Sequence, residues 1–165
     1  MYEVKGGVGM IVYHASNVVV MHPDITYSRD ALDFGKGFYV TALREQAVNY
    51  AEKFRFKSQP AILNVYELSD NWRQGHILRF ESYDEAWLDF VMANRRRQPV
   101  DTYDAVEGGV ANDKVFRTLD LYFTGDIPKE TAMQRLQYEK PNHQICLLDQ
   151  AFIDSHLSFL KHEVL

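Results

Sequence analysis

The stretch Asp33-Phe34-Gly35-Lys36-Gly37-Phe38-Tyr39-Val40-Thr41 decides how the chain is interpreted, because it joins two glycines to two adjacent aromatic residues and a strand. Glycine permits conformations and close approaches that a β-carbon would prevent. If the segment is extended, Phe38 and Tyr39 point to opposite faces, so one ring can enter the core while the other lines a cleft. A flat ring with a spare phenol hydroxyl suits a flat ligand. The alternative is an ordinary turn and strand with core aromatics.

Two further segments show an apolar strand pattern with polar residues at one end. The first is Ile11-Val12-Tyr13-His14-Ala15-Ser16-Asn17, and the second is Lys140-Pro141-Asn142-His143-Gln144-Ile145-Cys146-Leu147-Leu148. Read alone, His14 is either a hydrogen-bonded structural histidine or a ligand for hydroxyl groups, since a neutral imidazole offers one donor and one acceptor. Gln144 is, in the same way, either a ligand contact or a polar residue at a strand end.

Taken in order, the three segments resemble the NAD-dependent ADP-ribosyltransferase superfamily, in its branch with a His-Tyr-Glu triad. More closely, the chain is similar to DUF3990, a bacterial family placed in that superfamily, and the resemblance extends from Met10 to about Leu148. That family has Gly where this chain has Ala15. The matching segments are Tyr13–Ser16, Asp33–Tyr39, Trp87–Phe90, Asn112–Val115 and Lys140–Ile145.

The resemblance implies that His14 holds the ribose of NAD, that Tyr39 stacks on the nicotinamide, and that Gln144 takes the place of the usual Glu. Gln can form the hydrogen bond of that Glu but supplies no charge. Positive charge builds up on the ribose as the nicotinamide bond breaks, so a nearby carboxylate would help. Asp113 is the candidate for that carboxylate, with helix capping as its alternative role.

The resemblance also implies further contacts to NAD and to the acceptor of ADP-ribose. Arg29 and Lys36 are candidates for the pyrophosphate, with a flexible surface role as the alternative. The Asn-x-Gln spacing resembles the substrate-recognition loop of the superfamily, so Asn142 and His143 are candidate acceptor contacts. The other candidate NAD-binding residues are Ala15, Ser16, Gly35, Gly37 and Phe38.

Hydrophobic periodicity predicts a mixed α+β fold without repeated strand-helix-strand units. Helices are predicted at Leu43–Phe56, Asp84–Ala93, Asn112–Phe123, Ile127–Leu136 and Phe152–Lys161. Strands are predicted at Met10–Tyr13, Ala61–Leu68, Tyr103–Val106 and Gln144–Leu148, with a short apolar run at Val18–Met21. The resemblance implies an ADP-ribosyltransferase-like split antiparallel β core with surrounding helices, and NAD between two small sheets.

Length and composition favour one domain over residues 1–165, since 46% of the 165 residues are hydrophobic. Residues 1–9 read as a flexible extension or a cloning remnant. One cysteine, no signal peptide and no membrane-length apolar run favour the cytoplasm and no membrane partner. The net charge of −5 argues against broad nucleic-acid binding. The histidines lack metal-type spacing, so no metal is expected.

Two functions follow as expectations, and they belong to different classes. The first is an NAD-consuming mono-ADP-ribosyltransferase that acts on a macromolecule, as the toxin of a bacterial toxin–antitoxin pair with a small antitoxin protein as partner. The second is a non-catalytic module on the same fold that binds NAD, ADP-ribose or a nucleic-acid end. The acceptor, whether protein or nucleic acid, is left open, and the toxin role depends on the resemblance alone.

Overall fold

The computed structural model describes residues 9–165, and these form seven strands and five α-helices. The prediction for residues 1–9 therefore lies, except for Gly9, outside the described residues. The strands are β1 (Met10–Ser16), β2 (Phe38–Val40), β3 (Ile62–Leu68), β4 (Ile77–Arg79), β5 (Ala105–Gly108), β6 (Gln144–Leu147) and β7 (Leu157–Val164). The helices are α1 (Arg44–Phe56), α2 (Glu85–Arg95), α3 (Asp113–Phe123), α4 (Lys129–Leu136) and α5 (Gln150–His156).

The strands form two sheets, and this confirms the α+β class. The first sheet has the order β1-β3-β7 and is antiparallel throughout. The second has the order β2-β6-β5-β4, in which β4 and β5 run parallel. The predicted antiparallel character of the core is therefore wrong at this edge. A parallel pair needs a long crossover connection, and α2 lies within the one that joins β4 to β5.

Alternation along the strands sorts the side chains into layers. Phe38 faces the three-stranded sheet and packs in one apolar cluster with residues such as Tyr66. Tyr39 points the other way, toward the cluster that α2, α3 and α4 build on the outer face of the four-stranded sheet. The prediction that these two neighbours point to opposite faces is therefore confirmed. Helix α1 covers the far side of the three-stranded sheet through Ala47 and Ala51.

Local sequence signals explain where most helices begin. Asp84, Asn112 and Asp149 each accept a hydrogen bond from a main-chain N–H of the first helical turn, as N-cap residues do. Four helices lie within about two residues of their predicted bounds, which is the usual uncertainty of helix ends. No helix within residues 9–165 has the length and hydrophobicity to cross a bilayer.

The last predicted helix is wrong over much of its length. Phe152–Lys161 was predicted to be helical, but α5 ends at His156 and β7 follows at once. The reason is tertiary: β3 has a free edge, and pairing with β7 satisfies its main chain while Leu157 and Phe159 reach the core. The short strand β4 has no counterpart in the prediction, and Val18–Met21 forms no strand.

Candidate functional site

A cleft of about 1080 Å³ opens where β1 and β2 part, and residues from both sheets line it. His14 comes from β1, Tyr39 from β2 and Gln144 from the first position of β6. The remaining wall comes mainly from residues 15–22, from the loop before β2 and from α1. The structure therefore brings the three residues of the predicted triad to one cleft, although they are far apart in the chain.

An isolated antiparallel bridge joins the two sheets beside this cleft. Tyr13 and Thr41 exchange both main-chain hydrogen bonds, at 2.8 and 3.0 Å. If that ladder continued, Ala15 would lie opposite Tyr39. Instead, the imidazole Nδ1 of His14 lies 2.7 Å from the carbonyl oxygen of Tyr39. The His14 side chain thus bonds the Tyr39 carbonyl, which would have accepted the N–H of Ala15 if the ladder continued, and β1 and β2 separate there.

This contact fixes the tautomer of His14. A carbonyl only accepts hydrogen bonds, so Nδ1 carries the proton of the neutral ring and Nε2 is left as an acceptor. Burial lowers the pKa of His14, and the hydrogen bond to Tyr39 opposes that shift in part. The ring packs against Phe38 with centroids 4.3 Å apart. No side chain or main-chain group within residues 9–165 bonds Nε2, which can therefore accept a hydroxyl proton of a ligand.

The main chain of Ala15 adds a donor and an acceptor at the same place. In an antiparallel strand the N–H and C=O groups of alternate residues point to the same side. Because Tyr13 bonds Thr41, the groups of Ala15 also point away from β3 and into the gap between the sheets. No bond to them is formed within residues 9–165. An edge of this kind matches a carboxamide, which carries one acceptor and one donor side by side.

The hydroxyl of Tyr39 is not spare, and this part of the prediction is wrong. It donates to the carbonyl of Gly35 at 2.7 Å and accepts the N–H of Phe34 at 3.0 Å. The phenol therefore closes the loop that precedes it, and burial raises its pKa well above the ordinary value. Tyr39 lines the cleft, so what it can offer a ligand is the surface of its ring.

Two glycines let this loop pack closely. Gly35 has a φ of +96°, a conformation that residues with a β-carbon rarely adopt. At Gly37 a β-carbon would lie 2.6 Å from the Sγ of Cys146 and from the carbonyl of Leu147. The N–H of Gly37 donates to Ser28 Oγ at 3.1 Å. The glycines therefore serve the path of the chain, and of the two only Gly37 lines the cleft.

Asp33 anchors this loop to two other walls of the cleft. Its Oδ1 accepts bonds from the Nε and a terminal nitrogen of Arg95, and its Oδ2 accepts the N–H of Ala111 at 2.7 Å. Asn94 adds a bond from its amide to the carbonyl of Asp33. A carboxylate with three donors is strongly bound, since charge-assisted hydrogen bonds are the strong ones. Asp33 and Arg95 thus hold the loop, α2 and the start of the α3 connection together.

A buried amide holds the opposite wall. Asn64 of β3 is fully buried; its Oδ1 accepts the N–H of Val20 at 2.8 Å, and its Nδ2 donates to the carbonyls of His14 and Val18. Tyr66 adds a bond from its hydroxyl to the carbonyl of Val20. These bonds satisfy the main chain of the 17–21 segment without a partner strand. This is why the apolar run Val18–Met21 lies across β3 as a loop.

The charges of the cleft favour an anion. Arg29 lines it and forms no ion pair or side-chain hydrogen bond within residues 9–165. Lys53 lies over the ring of Tyr50, 3.8 Å from its centroid, and donates to the hydroxyl of Tyr50. The two carboxylates that line the cleft are both engaged: Asp24 accepts from Thr26, and Asp33 from Arg95. Two cations are thus left for a phosphate-bearing ligand.

The loop before β6 is fixed from α1. Gln46 receives the main-chain N–H of His143 at 3.1 Å and donates to its carbonyl at 2.8 Å, a two-bond clamp. Asn142 accepts the N–H of Val110 through its side chain at 2.8 Å. Gln144, which follows His143, lines the cleft, and its side-chain amide has no hydrogen bond within residues 9–165. The bonds of Asn142 and His143 thus fix the main chain before Gln144, and the side-chain amide of Gln144 is free for a ligand.

A buried carboxylate stands behind that loop. Glu107 bonds both terminal nitrogens of Arg73, and the Nε2 of His143 lies 3.0 Å from it. Burial alone would raise the pKa of Glu107, but the hydrogen bonds from His143 and Arg73, with the charge of Arg73, lower it to about 2. The Nδ1 of His143 accepts the N–H of Ala42 at 3.3 Å. Both ring nitrogens of His143 are therefore committed within the protein.

The structure separates the predicted site residues into two groups. Those that line the cleft are His14, Ala15, Ser16, Arg29, Gly37, Phe38, Tyr39 and Gln144. Those that lie outside its lining are Gly35, Lys36, Asp113, Asn142 and His143. Asp113 is exposed in the first turn of α3, where Asn112 and not Asp113 provides the cap. Asn142 and His143 make the structural bonds described above.

A family model described as "protein of unknown function (DUF3990)" matches residues 10–159. The chain belongs to this family. No curated protein and no solved structure matches it. The membership confirms the family that the motifs indicated.

Several residues of this DUF3990 cleft were missed by sequence reasoning. Asn64 and Gln46 lie in a strand and a helix that look ordinary in sequence, and their role depends on contacts across the fold. Tyr50 and Lys53 follow the helical spacing of α1, but only the packing of α1 turns them toward the cleft. Asp33 carried a usable signal, because it opens the glycine-rich stretch and a carboxylate there can accept main-chain N–H groups.

Proposed function

We propose that this protein is an NAD-dependent mono-ADP-ribosyltransferase with the two-sheet core of that superfamily. The observation that carries the proposal is the convergence of His14, Tyr39 and Gln144, from three strands, on one cleft at the split between the sheets. Chemistry-bearing residues at a topological break between sheets are a common arrangement for ligand sites. The motif order of the family resemblance gives each of them a role toward NAD.

The chemical groups of the cleft fit the parts of NAD. The free Nε2 of His14 suits a ribose hydroxyl, and the main-chain edge of Ala15 suits the nicotinamide carboxamide. The ring of Tyr39 offers a surface for stacking. Arg29 and Lys53 suit the pyrophosphate, since phosphates bind unpaired cations in a partly apolar cleft.

In the proposed reaction the bond between nicotinamide and ribose breaks, and nicotinamide leaves with the electron pair. The acceptor nucleophile then bonds to the same ribose carbon and loses a proton. Gln144 supplies a hydrogen bond to the ribose but no negative charge. Lowering the barrier therefore depends on orientation and on the preorganised dipoles of the cleft, together with the groups on the acceptor.

The alternative, a binding module without transfer, is favoured by one specific observation. Both carboxylates that line the cleft, Asp24 and Asp33, are bonded within the protein, and Gln144 is neutral. No free carboxylate within residues 9–165 therefore lines the cleft to stabilise positive charge on the ribose. Binding of NAD or ADP-ribose needs no such group. Both functions therefore require that the protein binds the ligand, and only the transferase converts NAD to products.

The biological role, a toxin neutralised by a small antitoxin protein in the bacterial cytoplasm, is proposed from the resemblance alone.

Incubating the protein with NAD and a cell lysate tests the reaction. We expect free nicotinamide together with a macromolecule whose mass rises by one ADP-ribose, both detected by mass spectrometry. Calorimetric titration measures binding separately. Tight binding of NAD or ADP-ribose without either product supports the binding module, and absence of binding to both ligands contradicts both functions.

A further inference from the structure

The three-stranded sheet has a long free edge at β7. Its order β1-β3-β7 leaves the outer side of β7 without a partner strand within residues 9–165. This strand has eight residues, and Leu160 and Val164 are 51% and 74% exposed. An edge strand presents unpaired N–H and C=O groups, which can template pairing with another strand. The free edge of β7 is therefore a candidate surface for pairing with a strand of another chain.

The ladder shows which main-chain groups of β7 point outward. Tyr13 bonds Thr41 and not β3, so by alternation Leu63 and Val65 of β3 point toward β7. Their partners there are Glu163 and Lys161. Leu165, two residues after Glu163, likewise turns its N–H toward β3 and donates to the carbonyl of Ala61. The N–H and C=O groups of His162 and Val164 therefore face the free edge.

Side-chain charge selects one register for pairing with a second copy of β7. An antiparallel pair centred on His162 places Lys161 opposite Glu163 of the other copy, twice. Moving the centre to Lys161 places two lysines face to face, and moving it to Glu163 does the same with two glutamates. Opposite charges directly across a sheet stabilise it and like charges destabilise it. Glu163 also bonds Arg44 of α1 at 3.1 Å, so Lys161 of the second copy would join an existing ion pair. Among the registers centred on Lys161, His162 and Glu163, the one centred on His162 is therefore the charge-complementary one.

We propose that β7 is a homodimer interface, in which two copies join their three-stranded sheets into one six-stranded sheet through an antiparallel pair centred on His162. The interface is isologous, as two-fold dimers require. The bulge between β7 and β3 beside Lys161 confines regular pairing to the C-terminal half of β7, so the contact is small. We expect a reversible dimer, because interfaces at the low end of the size range are weak.

The dimer leaves the cleft open. The cleft lies against β1, at the opposite edge of the same sheet, and no residue of β7 lines it. Dimerisation and NAD chemistry are therefore separate properties, and neither proposal depends on the other.

Sedimentation equilibrium from micromolar to submillimolar concentration tests the proposal. We expect a monomer–dimer equilibrium for the natural sequence. Lys161→Glu and Glu163→Lys should each weaken dimerisation by about tenfold or more, because each change turns two attractive pairs into repulsive ones. An equimolar mixture of the two variants should form heterodimers, since each variant then meets its opposite charge. Lys57→Glu, an exposed change of the same sign outside β7, is the matched control.

Circular dichroism spectra first establish that the variants are folded. A natural chain that stays monomeric at every concentration overturns the proposal. So does a dimer that tolerates either single charge reversal, or a variant mixture that remains as monomeric as its components. Loss of dimer in both single variants, with recovery in their mixture, supports the register centred on His162.

Discussion

The imidazole Nδ1 of His14 lies 2.7 Å from the carbonyl oxygen of Tyr39, at the point where β1 and β2 separate. One side chain therefore does two things: it completes the hydrogen bonding of β2 and leaves its other nitrogen facing the cleft. Because the first role orients the ring for the second, structure and the proposed ligand binding are coupled at this residue. Substitutions at His14 need a control that removes the structural part alone.

His14→Ala should abolish measurable NAD turnover, with a loss of about 10²-fold or more, as expected when a preorganised hydrogen-bonding group is removed. It should cost about 1–3 kcal/mol of unfolding free energy, because the Tyr39 carbonyl loses its partner. Nicotinamide release and urea unfolding measure the two effects. His156→Ala is a matched control, since His156 also stacks on a phenylalanine at 4.3 Å and bonds Ser69 but does not line the cleft. Equal loss of turnover in both variants would assign His14 to packing alone.

Tyr39→Phe should destabilise the protein by about 1–3 kcal/mol, because the N–H of Phe34 and the carbonyl of Gly35 lose their partner. NAD affinity should fall by less than about threefold, since the aromatic surface is kept. Thermal unfolding measures the loss of stability, and calorimetric titration with NAD measures the change in affinity. Tyr39→Ala is a poorer test, because it removes both the ring and the tie to the loop. A large loss of NAD affinity without loss of stability would contradict the structural role of the hydroxyl.

Gln144→Glu should raise the rate of nicotinamide release, by up to about 10²-fold, because it places negative charge beside the ribose of the proposed complex. The control is Asn142→Asp, which adds the same charge two residues away, outside the lining of the cleft. Single-turnover kinetics at saturating NAD separate the rate from the affinity. A rate that rises equally in both variants would point to net charge and not to position.

Asp113→Asn should change neither the rate of nicotinamide release nor the unfolding free energy by more than about 0.5 kcal/mol, as is usual for exposed substitutions. Asp113 is exposed and does not cap α3. Asp33→Asn serves as the contrast, and it should cost about 1.5–3 kcal/mol of stability, because it weakens charge-assisted bonds from Arg95 and Ala111. Slower nicotinamide release with normal stability after Asp113→Asn would instead support a role for this carboxylate in the proposed reaction.

Acid should destabilise the protein through Glu107. The pKa of Glu107 is lowered from 4.5 to about 2 in the folded protein. Ionised Glu107 therefore stabilises the fold fully at pH values above its pKa in the unfolded chain. This stabilisation is lost as the pH falls from about 4.5 to about 2. Glu107→Gln should remove a few kcal/mol at neutral pH, and the difference from the natural chain should disappear near pH 2. Urea unfolding at a series of pH values measures this, and a difference independent of pH would contradict it.

Sequence reasoning succeeded where local signals and tertiary structure agree. Helix α3 was predicted with Asn112 or Asp113 as its cap, and the structure shows that Asn112 provides it. The opposite directions of Phe38 and Tyr39 follow from strand alternation. It failed at β7, because the free edge of β3 decides the conformation of Leu157–Val164. No local pattern contains that edge.

The site divides in the same way. Residues that point into the cleft from strand ends, such as His14 and Gln144, carry motifs that the sequence displays. The supporting bonds of Asn64 and Gln46 join segments that are distant in the chain, so their partners are unknown before the fold is known. The occupied hydroxyl of Tyr39 is a case of the same kind. Chemical type predicts what a group can do, and packing decides whether it is free to do it.

The buried thiol of Cys146 can be used to measure how often the fold around it opens. It is the one cysteine in the sequence, it is fully buried beneath the loop that Gly37 closes, and burial raises its pKa. A thiol-reactive dye can therefore modify the natural chain only when the packing around this thiol opens, for example when the Gly37 loop moves away. The labelling rate, followed at increasing dye concentration, gives the frequency and free energy of that excursion. If NAD binding stabilises the loop before β2, which lines the cleft, its addition should slow labelling in proportion to occupancy, with no mutation introduced.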